Sequence, residues 1–170
     1  MREIKTKRLF LRKLRSDDAE SIFRNWASDS EVAKYVTWNV HKDMNETKAI
    51  LDMWLAEYDN DNCYRYSIEN KADGELIGMI DVVGYHHENP VIGYCSWGNG
   101  YMTEALGAVM KELAEDGFDT FVIEAADDNV ASNKVIIKNG FQLVGKREDR
   151  LSEMKPQVVT INSYRYYVEK

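Results

Sequence analysis

Apolar positions along the chain change period several times, and each change marks an element. Arg8 to Leu14 reads as a first strand. Asp17 and Glu20 have the spacing of a capping box, and Ala19, Ile22, Phe23, Trp26 and Ala27 then recur at helical intervals. A short helical piece, Glu31 to Val36, leads into an aromatic loop carrying Trp38. Asn45 can cap the next helix, whose single apolar face holds Ile50, Leu51, Trp54, Leu55 and Tyr58. Cys63 to Glu69 alternates as a strand does, with Tyr64, Tyr66 and Ile68 on one side. Asp73-Gly74 signals a hairpin into a strand from Glu75 to Val83. Past His86-His87-Glu88-Asn89-Pro90 comes another strand, Val91 to Trp97.

The second half follows an α/β rhythm. Gly98-Asn99-Gly100 opens a helix that buries Ala105, Leu106, Val109, Met110 and Leu113. Thr120 to Ala125 is a short apolar strand, and Asn129 to Lys138 a helix ended by Asn139-Gly140. Phe141 to Lys146 and Val158 to Val168 read as closing strands. Such a succession predicts at least one parallel crossover. There is no repeat or low-complexity linker, and Pro90 and Pro156 fall in expected connections, so one domain over residues 1–170 is expected.

Composition narrows the function. A net charge of −7 and a pI near 5.0 argue against nucleic-acid binding, which rests on neutralising phosphates. The same acidity suits a cationic acceptor, although solubility alone explains it equally. No apolar run could span a bilayer and no signal-peptide region opens the chain, so a cytoplasmic protein without membrane partners is expected. Cys63 and Cys95 lack metal-ligand spacing and are expected to be buried small hydrophobes.

A strand that runs into Gly98-Asn99-Gly100 and then a helix is suited to a phosphate: glycine lets backbone N–H groups approach, and the helix start is electropositive. Gly-x-Gly alone is equally a tight turn. No Gly-Lys-Ser/Thr follows, and Thr103 occupies the place of a dinucleotide fingerprint's third glycine. Four ordered stretches carry more. Thr6 to Arg12, Gly74 to Gly78, Ile92-Gly93-Tyr94-Cys95 with Trp97 to Leu106, and Asn129 to Val135 followed by Lys138 to Phe141 together resemble the GNAT N-acetyltransferases, in particular their RimJ/RimL-like branch.

That resemblance implies an α/β fold of six to seven mixed strands, splayed in the middle and flanked by about four helices. It implies acetyl-CoA as cosubstrate, no metal, and direct acetyl transfer to a primary amine, of a small molecule or a protein N-terminus, by a monomer or homodimer. Ile92, Gly93, Tyr94 and Cys95 would border the pantetheine arm, and Gly98, Asn99, Gly100, Tyr101, Met102 and Thr103 would receive the pyrophosphate. The Tyr94 amide would polarise the thioester carbonyl. Ser132 would protonate the leaving thiolate, with Asn129 orienting it or the cofactor; otherwise the two are a helix cap and its first turn. Tyr35 and Trp38 would line the acceptor pocket.

Several positions depart from the pattern. Ile136 stands where many relatives carry a tyrosine acid, Cys95 where an arginine or glutamine often leads the phosphate motif, and Val91 where a glutamate base is common. Glu88 and Asp81 are nearby carboxylates, and the base stays open. Cys95 also runs directly into Ser96-Trp97-Gly98, where relatives have several more residues; this is either a true deletion or a place where loop residues are missing. An acyl-CoA-binding regulator with little turnover is the alternative function, and a Rossmann-type nucleotide binder a more distant one.

Overall fold

β1 (Ile4–Lys5) turns back into β2 (Leu9–Arg12), and this small antiparallel pair starts the sheet. The computed structural model describes residues 1–96 and 100–169. After a 3₁₀ turn, α1 (Ala19–Ile22) runs into a π turn over Phe23–Ala27, followed by α2 (Ser30–Ala33) and α3 (Met44–Ala56). Then come β3 (Arg65–Asn70), β4 (Leu76–His86), β5 (Asn89–Ser96), α4 (Tyr101–Glu115), β6 (Thr120–Ala126), α5 (Val130–Lys138), β7 (Gln142–Ser152) and β8 (Lys155–Tyr167).

The eight strands form one mixed sheet in the order β1-β2-β3-β4-β5-β6-β8-β7. Every neighbouring pair is antiparallel except β5 and β6, which α4 connects as a crossover. Strand alternation sends residues to two cores. Ile68, Ile80, Ile92, Phe121, Ile123 and Tyr164 face α4 and α5, where Leu106, Val109, Leu113 and Ile136 are fully enclosed. Met79 and Cys95 face the other way, against Ile22, Trp26 and Leu51 of the first helices.

The eight strands exceed the expected six or seven because β1 is too short to show a period. Helical stripes hold at Ala19, Ile22, Trp26 and Ala27, and at all five expected positions of α4. Their caps differ. Asp18, not Asp17, accepts the Arg15 N–H at 2.7 Å, and Asp43, not Asn45, receives two N–H groups at the start of α3. Pro90 and Pro156 lie within β5 and β8 rather than in connections. The β4–β5 link is a two-residue turn with positive φ at His87 and Glu88, 49° and 69°. Such a turn usually shows itself as Asn-Gly, and its absence here hid the hairpin. β7 and β8 likewise continue to a tight turn at Glu153–Met154, forming one long hairpin. β5 runs unbroken through Cys95 and Ser96, paired with Met79 and Gly78.

Arg12 ties the sheet edge to α1. It donates to both Asp18 oxygens at 2.9 Å and to Glu69 at 2.9 Å, and both Arg12 and Asp18 are buried. The Asp18 hydrogen bonds outweigh burial and raise the guanidinium pKa above its ordinary value. Removing one partner of a buried pair strands the other's charge, so Asp18→Ala should cost about 3–5 kcal/mol in urea unfolding. Glu75→Ala, which opens the exposed Arg24–Glu75 pair, should cost no more than about 1 kcal/mol. Equal losses for the two variants would refute this role for Arg12.

Candidate active site

The sheet opens between β5 and β6. Among the described residues the two strands share one registered pair, Val91 with Val122, and they diverge beyond it. Backbone direction decides what lines the opening. The Val82 N–H donates to the Tyr64 carbonyl across β3–β4 at 2.8 Å, so Ile80 and Val82 turn their amides towards β3. Their β5 partners Tyr94 and Ile92 therefore turn their amides away from β4, towards β6. Tyr94 lies past the Val91 bridge, where β6 offers no registered partner. Its N–H thus points into the split, as an oxyanion donor must. On the opposite face Gly93 is required by close approach: a Cβ there would meet Val83 Cγ1 at 2.7 Å.

Alternation puts the Tyr94 side chain on the face of Ile92, under α5. The Tyr94 hydroxyl lies 2.8 Å from Ser132 Oγ and 3.3 Å from the Ser132 carbonyl. Burial pushes Tyr94 up to about 12, against the lowering influence of the Ser132 contact, so the phenol stays neutral. Asn129 caps α5, accepting the Ser132 N–H at 3.1 Å. Its cap role is therefore real, and it also fixes the turn that carries Ser132. Asn133 anchors the same turn: its side-chain oxygen accepts from Tyr164 Oη at 2.6 Å and Asn162 Nδ2 at 3.1 Å. The Tyr94 hydroxyl and this asparagine network escaped the sequence reading. Even spacing from Ile92 was the available signal for Tyr94.

α4 begins at Gly100, in the left-handed region with φ 69°, and no side chain of the described residues caps it. The first-turn N–H groups of Tyr101, Met102 and Thr103 therefore lack an N-cap acceptor, which is the arrangement an anion fills. Met102 packs its side chain into the core, so only its backbone could serve. Gly98 and Asn99 lie outside the described residues. Glu104 would place an acid beside this anion site, but it is occupied. It accepts from Thr6 Oγ1 at 2.6 Å, from Arg8 N at 2.9 Å and from Arg8 Nε at 2.7 Å. Burial alone would raise its carboxyl, but these hydrogen bonds and the Arg8 charge hold it below the usual range. The Arg8 guanidinium also lies over the Tyr101 ring, 4.5 Å from its centre.

The remaining candidates separate. Cys95 points into the core of the first helices, where burial pushes its thiol up to about 12, so only its backbone borders the split. Tyr35 and Trp38 are both half-buried. Tyr35 reaches the Asp128 carbonyl just before α5 at 3.5 Å, while Trp38 packs on His41 with ring centres 5.5 Å apart. Tyr35 thus stands near the turn that carries Ser132, and Trp38 packs within its own loop. Glu88 is exposed at the β4–β5 turn. Asp81 is buried opposite Gly93; burial raises its carboxyl, and the Arg65 ion pair at 3.1 Å counters this.

Residues 8–142 match the family described as acetyltransferase (GNAT) domain. The chain is 30% identical over 152 residues to the uncharacterized N-acetyltransferase YoaA of Bacillus subtilis, covering 84% of each. It is 27% identical over 160 residues to the uncharacterized N-acetyltransferase p20 of Bacillus licheniformis, covering 88% of this chain and 87% of that one. Among solved structures, RimL, a ribosomal L7/L12 α-N-protein acetyltransferase in complex with coenzyme A, superposes with a TM-score of 0.84 at 22% identity over 98% of both chains. The microcin C7 self-immunity acetyltransferase MccE, in complex with acetyl-CoA and AMP, gives 0.83 at 21% identity over 96% and 94%. Eight strands, a split beside the crossover and an uncapped helix start recur with the family's sequence pattern: the chain belongs to the GNAT acetyltransferases and is an N-acetyltransferase.

Proposed function

We propose that the chain transfers the acetyl group of acetyl-CoA directly to a primary amine, on a small molecule or at a protein N-terminus. The observation that carries this reading is the Tyr94 hydroxyl at 2.8 Å from Ser132 Oγ, beside the split. Acyl transfer to an amine needs a polarised carbonyl, a proton for the leaving thiolate and an unprotonated nucleophile. The Tyr94 N–H supplies the first. Ser132 supplies the second: the Tyr94 hydroxyl, 2.8 Å from Ser132 Oγ, can act as its donor, and in that arrangement the serine's own proton is free for the sulfur. Asn129 keeps Ser132 in place through its backbone. The first-turn N–H groups of α4 hold the pyrophosphate, and the Ile92 to Cys95 edge borders the pantetheine arm. This acid pair favours an enzyme over a regulator that only binds acyl-CoA, and supplies from β5 the hydroxyl that Ile136 lacks.

Ser132→Ala should lower kcat on the order of 10²-fold with KM for acetyl-CoA nearly unchanged. Tyr94→Phe should give a smaller loss, and adding it to Ser132→Ala should cost little more, because the two act as one unit. Full kcat in Ser132→Ala would remove the serine from the mechanism.

Gly100→Glu should abolish acetyl-CoA binding in calorimetric titration, since a carboxylate would meet the phosphates. Gly100→Ala is the control. It carries the same left-handed strain, and among the described residues a Cβ there would meet only Arg8 Nη2, at 4.0 Å. The alanine variant should keep binding; wild-type affinity in the glutamate variant would refute the phosphate site.

The pH profile follows from the same groups. The acceptor amine must lose its proton, so kcat/KM should rise with pH towards the amine's own pKa. Because Tyr94 is pushed up to about 12, kcat should show no alkaline fall through about pH 10, where an ordinary tyrosine titrates. An alkaline limb that disappears in Tyr94→Phe would contradict a neutral Tyr94.

A further inference from the structure

The sheet face opposite α4 and α5 carries a cavity of about 300 Å³ over the β5–β6 bridge. Val91 and Val122 form part of its floor, Val83 and Tyr85 one wall, and Glu124, Ser163 and Arg165 the far side. It lies on the face of Gly93, whose missing side chain leaves the split accessible from this side.

The polar groups of this cavity are unevenly matched. Glu124 is neutralised by Arg147, whose Nη2 donates to its Oε2 at 2.8 Å. The Arg165 side chain makes no hydrogen bond or ion pair with any described residue, and its Nε is buried without a partner. The hydroxyl of Ser163, two residues earlier on the same strand face, has no described hydrogen-bond partner either. Arginine stays charged in proteins, and an unmatched, partly enclosed charge is unfavourable. Native structures keep such groups where something else completes them. A planar guanidinium beside a hydroxyl is the donor set for a carboxylate, held by two parallel N–H bonds. A dianionic phosphate fits less well with Glu124 at the same wall.

We infer that Arg165 and Ser163 form a subsite for a carboxylate carried by the acceptor, so that the favoured substrate is an amine bearing a remote carboxylate. This rests on the acetyl-transfer reading and specifies its acceptor. Remoteness follows from strand geometry. Arg165 is in register with Val122, which is in register with Val91, three residues before Tyr94. Three residues along a strand are about 10 Å and two strand spacings about 10 Å, so the Tyr94 and Arg165 backbones stand roughly 14 Å apart. The arginine side chain covers part of that span, and the body of the acceptor the rest. An α-carboxylate next to the reacting amine is too close.

The test compares 6-aminohexanoate with 6-aminohexanamide, which share length and amine but differ in charge. Wild type should favour the acid at least tenfold in kcat/KM. Arg165→Met, which keeps an apolar stem, should bring the ratio near one, and Arg165→Lys should retain part of it. Thermal melting and acetyl-CoA titration of each variant confirm the fold. Calorimetric titration of the product analogue 6-acetamidohexanoate reads the subsite without turnover. It should bind wild type at least tenfold more tightly than Arg165→Met, even if neither amine is acetylated. Failed turnover with retained Arg165-dependent binding would therefore count against the transfer reading alone. Equal handling of acid and amide by wild type, or a preference that survives Arg165→Met, would overturn the subsite.

Discussion

β5 and β6 are each held firmly by another neighbour, and the gap between them follows. β5 is registered with β4 through eight pairs, from Gly78 with Ser96 to His86 with Asn89. β6 is registered with β8 through seven, from Thr120 with Tyr167 to Ala126 with Ile161. Parallel strands gain slightly less per pair than antiparallel ones, and these two are joined only by a crossover helix. The break therefore falls where the sheet is weakest. It does not widen into a disordered seam because Leu106, Val109 and Ile136 of α4 and α5 pack across it from one side. The protein keeps a strand edge with an open amide at Tyr94, stabilised by cores that lie beside the gap rather than in it.

The Tyr94–Ser132 contact spans that break. Tyr94 belongs to the β1–β5 half of the sheet, whereas Ser132 is fixed to the other half through Asn133, Asn162 and Tyr164. The hydroxyl pair is thus a contact between the two halves of the sheet. A shift of an ångström would take Tyr94 out of hydrogen-bond reach. The bulge between Val82 and Gly84, with Val83 packed over Gly93, disrupts the β4 ladder beside the same site.

Much of this was legible from periodicity and motif order. Helical stripes identified the buried faces of α1 and α4 and, through Leu51 with Trp54 and Leu55 packed beside it, most of that of α3, where Ile50 stays out of the core; ordered motifs identified the family, because both depend on local spacing. What stayed hidden depended on contacts between distant residues. Thr6 and Arg8 read as part of an opening strand, yet they neutralise an acid nearly a hundred residues later, at Glu104. Tyr94 was credited with its amide alone, because nothing local indicates that its hydroxyl meets Ser132, 38 residues away. The β4–β5 turn was misread for the opposite reason: His87 and Glu88 adopt a conformation their residue types rarely signal. The open base has a physical cause too. Asp81 is buried opposite Gly93, but its ion pair with Arg65 gives it an adequate structural role.

Net charge shows how far composition can mislead about a site. A charge of −7 suits a cationic acceptor, provided the acids face the groove unpaired. Around the split they do not. Glu124 is met by Arg147, Asp81 by Arg65, Asp127 by Lys146 at 2.8 Å and Glu104 by Arg8. Each pair removes a carboxylate from the field an approaching substrate meets. The excess acidity lies elsewhere, in exposed residues such as Asp52, Asp59 and Asp61 of the first half. Such charges act over distances that salt screens within about a Debye length. They can keep the chain soluble, but they do not select a ligand at the split. Among the described residues of the open face, Arg165 is instead a cation whose Nε is buried without a partner.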